Sequence, residues 1–262
     1  MMRYLRLASL QFRVSVAAAM AYRANFLVEG VMTLAWLALT LLPLVVLYSA
    51  RTTVGEYDES AALVVMAYFI GVRAVLEGVI IPSLMELVQE IRSGAFDYVL
   101  LKPVDAQLLI SSSRYELWKV FDLMGAIGLV VYAFWRRGTV PSVGNVAMGV
   151  GLFFAGVLAM YGLFIACAAL AFWVVRLDNL MHLLEAVFDT ARWPVQVFGG
   201  MWRIVFTFVI PVALMTTFPA MGLLGWLSLP AAAATVGGAI ALLVVGRFVW
   251  RAALRSYTSA SS

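Results

Sequence analysis

Six long stretches of nearly unbroken apolar sequence constrain this chain more than any other feature. They run from Phe26 to Ala50, Ala61 to about Met85, about Leu117 to Trp135, Val146 to Val175, onward from near Ile204, and about Leu227 to Trp250. A helix needs about 20 apolar residues to cross a hydrocarbon core of roughly 30 Å, and each stretch reaches or approaches that length. Of the 262 residues, 64% are hydrophobic and only 12% are charged, against about 45–50% and about 25% in soluble domains. No compact soluble fold has an interior large enough for that much apolar surface, so the surroundings must be apolar as well. The expected fold is all-α and polytopic, one membrane domain over residues 1–262 with six transmembrane helices. A disordered chain, a nucleic-acid module and a disulfide-stapled secreted domain are excluded on the same grounds.

The segment before the first span is not a cleavable signal, because Arg13 and Arg23 interrupt the apolar core that a signal requires. On a helical wheel Arg3, Arg6 and Arg13 share one side, and Leu7, Val14 and Ala18 lie toward the other. This pattern fits an amphipathic helix over residues 1–25 lying in the membrane surface, or else an ordinary cytoplasmic extension of the first span. Of the 18 Arg and Lys residues, all but Arg51, Arg73, Arg136 and Arg137 fall on the side that also holds both termini. By the positive-inside rule that side is cytoplasmic. Tyr48, Trp135 and Trp226 mark outer span ends, and Trp173, Trp202 and Trp250 inner ones. Arg136 and Arg137 dissent, since they fall in a short outer loop.

Chemistry of the covalent or metal-assisted kind has little to work with. The two lysines, Lys102 and Lys119, follow Leu101 and Trp118, so no Gly-Lys-Ser/Thr phosphate-binding loop exists. The single histidine, His182, and the single cysteine, Cys167, cannot build a zinc site. His182 reads as a contact residue beside Asp178 and Glu185, and Cys167 as a small buried hydrophobe.

Arg73 and Glu77 are four apart, hence on one face of the second span. At about 1.5 Å per residue, Arg73 lies roughly 18 Å inward from Ala61 and Glu77 roughly 24 Å. An unpaired charge at such depth costs at least about 2.5–3.5 kcal/mol. The pair is expected to line a translocation path or pin a subunit interface, or else to satisfy itself locally. Gly151, Ala155 and Ala159 recur every four residues on the fourth span, a small-residue face that lets helices approach closely; Gly125 with Gly128, and Ala234 with Gly238, offer similar faces. Pro211 to Trp226 reads PVALMTTFPAMGLLGW. Its prolines disfavour one straight helix, and a kinked span followed by short re-entrant helices at the outer surface, or else a simple kink, is expected over 211–226.

The polar mass between the second and third spans, residues 86–116, should face the cytoplasm. Gly94 breaks its helix, and an apolar stripe of Phe96, Val99 and Leu100 precedes Pro103. Such an element suits a groove on a soluble partner, or equally the membrane surface. The run Ile91-Arg92-x-Gly94-x-Phe96-Asp97-x-x-Leu100-Leu101-Lys102-Pro103 resembles the first cytoplasmic loop of bacterial permeases in the type-two class of ATP-binding-cassette (ABC) exporters. Thr216-Thr217-Phe218-Pro219 is similar to the outer segment of a six-span subfamily of these permeases. The resemblance implies that two such domains, two copies or a copy and a sister permease, pair around one path in the bacterial inner membrane. Two separate ATPase subunits, carrying ATP and Mg while this chain binds no cofactor, would dock beneath. It makes residues 1–25 an elbow helix and assigns coupling to Glu90, Ile91, Arg92, Gly94, Phe96, Asp97, Leu100, Lys102 and Pro103; Thr216, Thr217 and Pro219 join Arg73 and Glu77 as candidates for the path or interface. The rival readings are a self-contained secondary transporter or channel, which would want ionisable groups deep in several spans, and a membrane enzyme built around Asp122, Arg114 and Glu116.

Overall fold

The computed structural model describes residues 2–173, 188–194, 196, 199–201 and 211–257. The start of the fifth apolar stretch near Ile204, the expected inner anchor Trp202, the basic Arg176 and Arg203, and His182 with Asp178 and Glu185 lie outside the described residues. So do the side chains of Arg3 and Arg6.

The fold is an all-α membrane fold. Helix α1 (Met2–Ala21) is separated from α2 (Arg23–Ala50) by Tyr22, whose ψ of 45° leaves the helical region. A two-stranded hairpin, β1 (Thr53–Val54) and β2 (Tyr57–Asp58), turns at Gly55 with φ +62°. Asp58 then caps α3 (Glu59–Ser93), its carboxylate accepting from the Ala61 amide at 2.8 Å. Two short helices, α4 (Phe96–Leu100) and α5 (Ala106–Ile110), precede α6 (Leu117–Arg137). Gly138 ends α6 in the left-handed conformation, and Ser142 caps α7 (Val143–Phe172). The chain closes with α8 (Ala213–Leu224) and α9 (Leu229–Arg255). Among the described residues, α2, α3, α6, α7 and α9 are long and apolar enough to cross a membrane. Helix α8, at about 1.5 Å per residue, reaches roughly 18 Å and cannot cross alone.

Helix α3 is the hub. Nearly three quarters of its most apolar window is buried inside the protein, against about a sixth for α2 and α9. Val65, Met66, Phe69 and Val72 are completely enclosed. The other spans surround it and turn apolar side chains outward, as a bilayer allows.

Small residues set the tightest crossings, on a face that differs from the one the four-residue spacing suggests. Ala155 and Ala159 are buried, but Gly151 faces open space. The close approaches are at Gly156 and Gly162. A β-carbon on Gly156 would lie 2.9 Å from Met215 Cα, and one on Gly162 would lie 2.6 Å from the Leu242 carbonyl oxygen. Gly246 meets Gly162 from the opposite side. Gly125 accommodates Leu37, and Gly128 touches nothing.

The two arginines of the short loop after α6 meet acids from the start of α3. Arg136 pairs with Glu59 at 2.5 Å, and Arg137 approaches Asp58 at 3.9 Å while its guanidinium sits 5.3 Å from the Trp226 ring. Tyr57 packs edge-on against Trp226. The hairpin, the end of α6 and the end of α8 therefore share one end of the bundle. The 94–116 segment occupies the opposite end.

Candidate functional site

The charges within the apolar bundle form a chain. Arg73 Nε donates to Glu77 Oε1 at 2.5 Å, and Lys119 Nζ lies 2.5 Å from Glu77 Oε2. Lys119 continues to Asp122 at 3.2 Å. In the other direction Arg73 reaches Asp189 at 3.2 Å, and Asp189 holds Arg192 at 3.5 Å. Three cations and three anions alternate, so the cluster is neutral as a whole. Each charge has an opposite neighbour, which is the condition for holding ions in such surroundings. Arg73 and Arg192 both also sit about 6 Å from the Phe69 ring, itself stacked on Phe188.

A local distortion of α3 places Glu77. Residues Leu76–Ile80 form a π turn, in which the Ile81 amide bonds the Leu76 carbonyl. The α-helical partner of the Gly78 carbonyl would be the amide of residue 82, but Pro82 has none. That carbonyl instead accepts from the Glu116 amide at 2.7 Å. Gly78 also lets Lys119 close in, since an added β-carbon would sit 3.3 Å from Lys119 Cβ. One proline thus docks the start of α6 onto α3 and brings Lys119 to Glu77. A second π turn, Ala213–Thr217, stands in the same relation to Pro219.

The network borders a cavity of about 340 Å³ lined by Arg73, Glu77, Lys119 and Asp122 on one side and by Thr33, Trp36 and Thr40 of α2 on the other. Thr216, Thr217 and Pro219 are not brought to it. They are buried against α3 and α7, and the Thr216 hydroxyl is committed to the Val212 carbonyl at 3.3 Å. Lys119, Asp122, Asp189 and Arg192 complete the cluster that Arg73 and Glu77 begin. Their one sequence signal is that Lys119 and Asp122 intrude on the start of an apolar stretch.

The segment at the opposite end divides into anchor and tip. Gly94 ends α3 with φ +77°, a conformation that glycine adopts without strain. Phe96 is wholly buried, edge-on to Phe172, Trp250 and Tyr257. Val99 is buried too, so the apolar stripe read from the sequence points largely into the protein. Trp250 serves this core and is not a membrane-interface anchor. The Tyr257 hydroxyl donates to Asp97 at 3.0 Å. Outside lie Arg92, Tyr98 and the consecutive Leu100, Leu101, Lys102 and Pro103, with Leu101 80% exposed. Glu90 and Ile91 are half-buried at the end of α3.

A second polar knot fastens this segment to the bundle. Asp105 caps α5 and receives both terminal nitrogens of Arg247, one of them at 3.1 Å. Arg247 also donates to Gln107 Oε1 at 2.5 Å, Gln107 donates to the Tyr161 hydroxyl at 2.9 Å, and Ser111 meets that hydroxyl at 2.6 Å. The Arg247 hydrogen bonds hold the Asp105 carboxyl below the usual carboxylate range. Side chains thereby join α5 to both α7 and α9.

The arrangement is one of apposed helices, a charge-lined cavity and an exposed tip on a rigid base. It suits relative movement of helices and docking more than bond-making. The family model described as ABC-2 family transporter protein matches residues 34–261. No curated protein and no solved structure matches the chain. With nearly the whole chain covered, from the middle of α2 onward, this protein belongs to the ABC-2 family of transporter proteins, as the membrane-embedded permease component of an ABC transporter.

Proposed function

We propose that this chain is the permease half of an ATP-driven exporter in a bacterial inner membrane, with both termini cytoplasmic and α1 as an elbow helix. Six spans from one chain enclose too little space for a path, so a second copy or a sister permease completes it. Two ATPase subunits, which carry ATP and Mg, dock at the end of the bundle that bears residues 86–116. The observation that carries this reading is the exposed Leu100-Leu101-Lys102-Pro103 tip on a buried base. Apolar side chains flanked by a lysine fit a groove on a soluble partner. Leu100, Lys102, Pro103 and Arg92 make that contact, while Glu90, Ile91, Gly94, Phe96 and Asp97 hold its shape.

ATP-driven closure of the ATPase pair selects one of two helix arrangements, because nucleotide binding favours the state in which the two ATPases meet. Arg73 and Glu77 belong to the path or its interface, and Thr216, Thr217 and Pro219 supply a bendable turn beside it. The charge network spans α3 and α6, as a secondary transporter would also require. Among the described residues each charge of that network has an opposite partner, which supports the ATP-driven reading over ion coupling.

The test is co-purification with the ATPase, followed by transport in sealed vesicles. Leu101→Asp should detach the ATPase while the permease stays folded. Cargo movement by the chain alone, without any ATPase, would refute the proposal.

A further inference from the structure

Two cavities adjoin where α1 meets the bundle, and together they have the outline of an amphiphile. The larger, about 610 Å³, is walled by Phe12, Val16 and Met20 of α1, Phe26 of α2, and Val75 and Val79 of α3. The smaller, about 410 Å³, is more polar and includes Ser15, Tyr22, Asn25 and Arg114. Ala19, Phe26, Tyr115, Glu116 and Leu117 line both, so the two are one crevice with an apolar and a polar compartment. Arg23 stands in the apolar compartment's wall at the start of α2, and Arg114, paired through Nε with Glu116 at 3.4 Å, in the polar one. Both are exposed.

The crevice is held open by specific contacts. Gln11 of α1 donates to the Leu109 carbonyl at 3.4 Å and accepts from Ser112 at 3.2 Å. Phe12 stacks edge-on against Tyr115 at 5.5 Å. These contacts tie one stretch of α1 to the 109–115 segment and leave the stretch from Ser15 to Tyr22 standing away from α3. The apolar walls are placed where α2 and α6 begin, the level at which a bilayer's chains meet its headgroups. A water-filled apolar slot there would be costly. Two arginines at a membrane face attract anionic lipid, each by about 1 kcal/mol.

We propose that this crevice is a binding site for one membrane phospholipid with an anionic headgroup, an acyl chain in the apolar compartment and the phosphate between Arg23 and Arg114. The occupant is a resident lipid that wedges α1 against the bundle. The wall that α1 and the start of α2 supply lies outside the part of the chain that the family match covers, and the wall from α3 and residues 114–123 lies within it.

The test uses the purified full chain in nanodiscs of phosphatidylglycerol diluted in phosphatidylcholine, with bound lipid counted by native mass spectrometry after release. Wild-type chain should retain one phosphatidylglycerol in preference to phosphatidylcholine. Arg23→Gln and Arg114→Gln should each lower that preference by about fivefold. Ala19→Trp, which fills the shared wall, should abolish retention of either lipid. Thermal unfolding of each variant in detergent checks that the bundle is intact. Unchanged retention in a folded Ala19→Trp protein would overturn the proposal, as would equal retention of the two lipids by wild type. Loss of the bound lipid during ATP turnover by the full complex would overturn the resident role and make the lipid cargo.

Discussion

Replacing Arg247 by Met should release the 103–111 segment from the bundle without unfolding the protein. Arg247 makes a two-pronged contact with Asp105 and a 2.5 Å bond to Gln107, so one substitution removes three charge-assisted hydrogen bonds. The two charged side chains are 32% and 28% exposed, which places the pair between two limits. Fully exposed pairs contribute about 0.2–1 kcal/mol, and breaking a buried one costs about 3–5 kcal/mol. Discounting for solvent, about 2 kcal/mol is a fair expectation for local anchoring. That raises the detached population of the segment about 30-fold. Met keeps most of the stem's packing, so the loss isolates the charge and its fork.

The assay is hydrogen exchange of the Leu108, Leu109 and Ser111 amides in the purified chain. The Leu109 and Ser111 amides bond the Asp105 and Gln107 carbonyls within α5, at 3.1 Å and 3.0 Å. Exchange in this segment should accelerate by about the same 30-fold, while exchange in the middle of α3 should not change. Arg247→Lys should recover part of the protection, because an ammonium keeps the charge but not the planar fork. Unaltered exchange in a folded Arg247→Met protein would refute the reasoning, since the segment would then be held by its other contacts, the bonds of Gln107 and Ser111 to Tyr161 and of Gln11 to the Leu109 carbonyl, with no need of Arg247.

Glu77→Gln leaves Arg73 and Lys119 facing one another without the shared carboxylate, and should destabilise the bundle by about 1–3 kcal/mol, read as a lowered thermal midpoint in detergent. Gly162→Val should cost more than about 3 kcal/mol, because its new side chain meets the backbone of Leu242 and Leu243 with no rotamer to retreat to; Gly151→Val, facing open space, should be nearly silent in the same measurement. The Asp105 carboxyl is held below its unfolded value of about 3.9 by Arg247. Its contribution is therefore fully present above pH 5, and it fades as the pH falls below about 4 through the depressed folded value. Protection of the 108–111 amides should accordingly be constant from pH 5 to pH 8 once intrinsic exchange is divided out. A loss within that range would contradict the assignment.

The five spans among the described residues were legible because a bilayer imposes a length, and stretches such as Phe26–Ala50 meet it by composition alone. Partners across the bundle were not. Nothing within ten residues of Glu77 names Lys119, because the meeting depends on Pro82 orphaning a carbonyl that a distant amide then satisfies. The tip shows the same limit: over the five residues of α4, periodicity cannot say which face turns inward. That choice is made by Phe172, Trp250 and Tyr257, which bury Phe96 and leave Leu100 and Leu101 outside. The glycine face was half legible for a related reason. A four-residue spacing assumes one straight neighbour, whereas α7 meets the π turn of 213–217 at Gly156 and then α9 at Gly162, so its contact stripe drifts. The partners of Arg136 and Arg137, Glu59 and Asp58, are likewise too far away along the chain for spacing to name.

These features bear on how movement at one end of the bundle reaches the other. Helix α3 runs unbroken from the hairpin end to Ser93, immediately before the exposed tip, and it carries Arg73 and Glu77 along its course. A straight α-helix transmits displacement along its axis, and it yields where its hydrogen-bond ladder is interrupted. In α3 that place is the π turn at Leu76–Ile80, roughly 20 Å from Ser93 at about 1.5 Å per residue. The interruption coincides with the ion pairs to Lys119. The other route from the tip, through Asp105 and Arg247 to α9, ends on the glycine crossing of α7 and α9, where backbones touch and little can slide. One route is therefore stiff and the other has a yielding point beside its charges. If the tip has the coupling role proposed for it, its displacement should bend α3 at Glu77, and a change in the Glu77–Lys119 contact is the first structural consequence to look for.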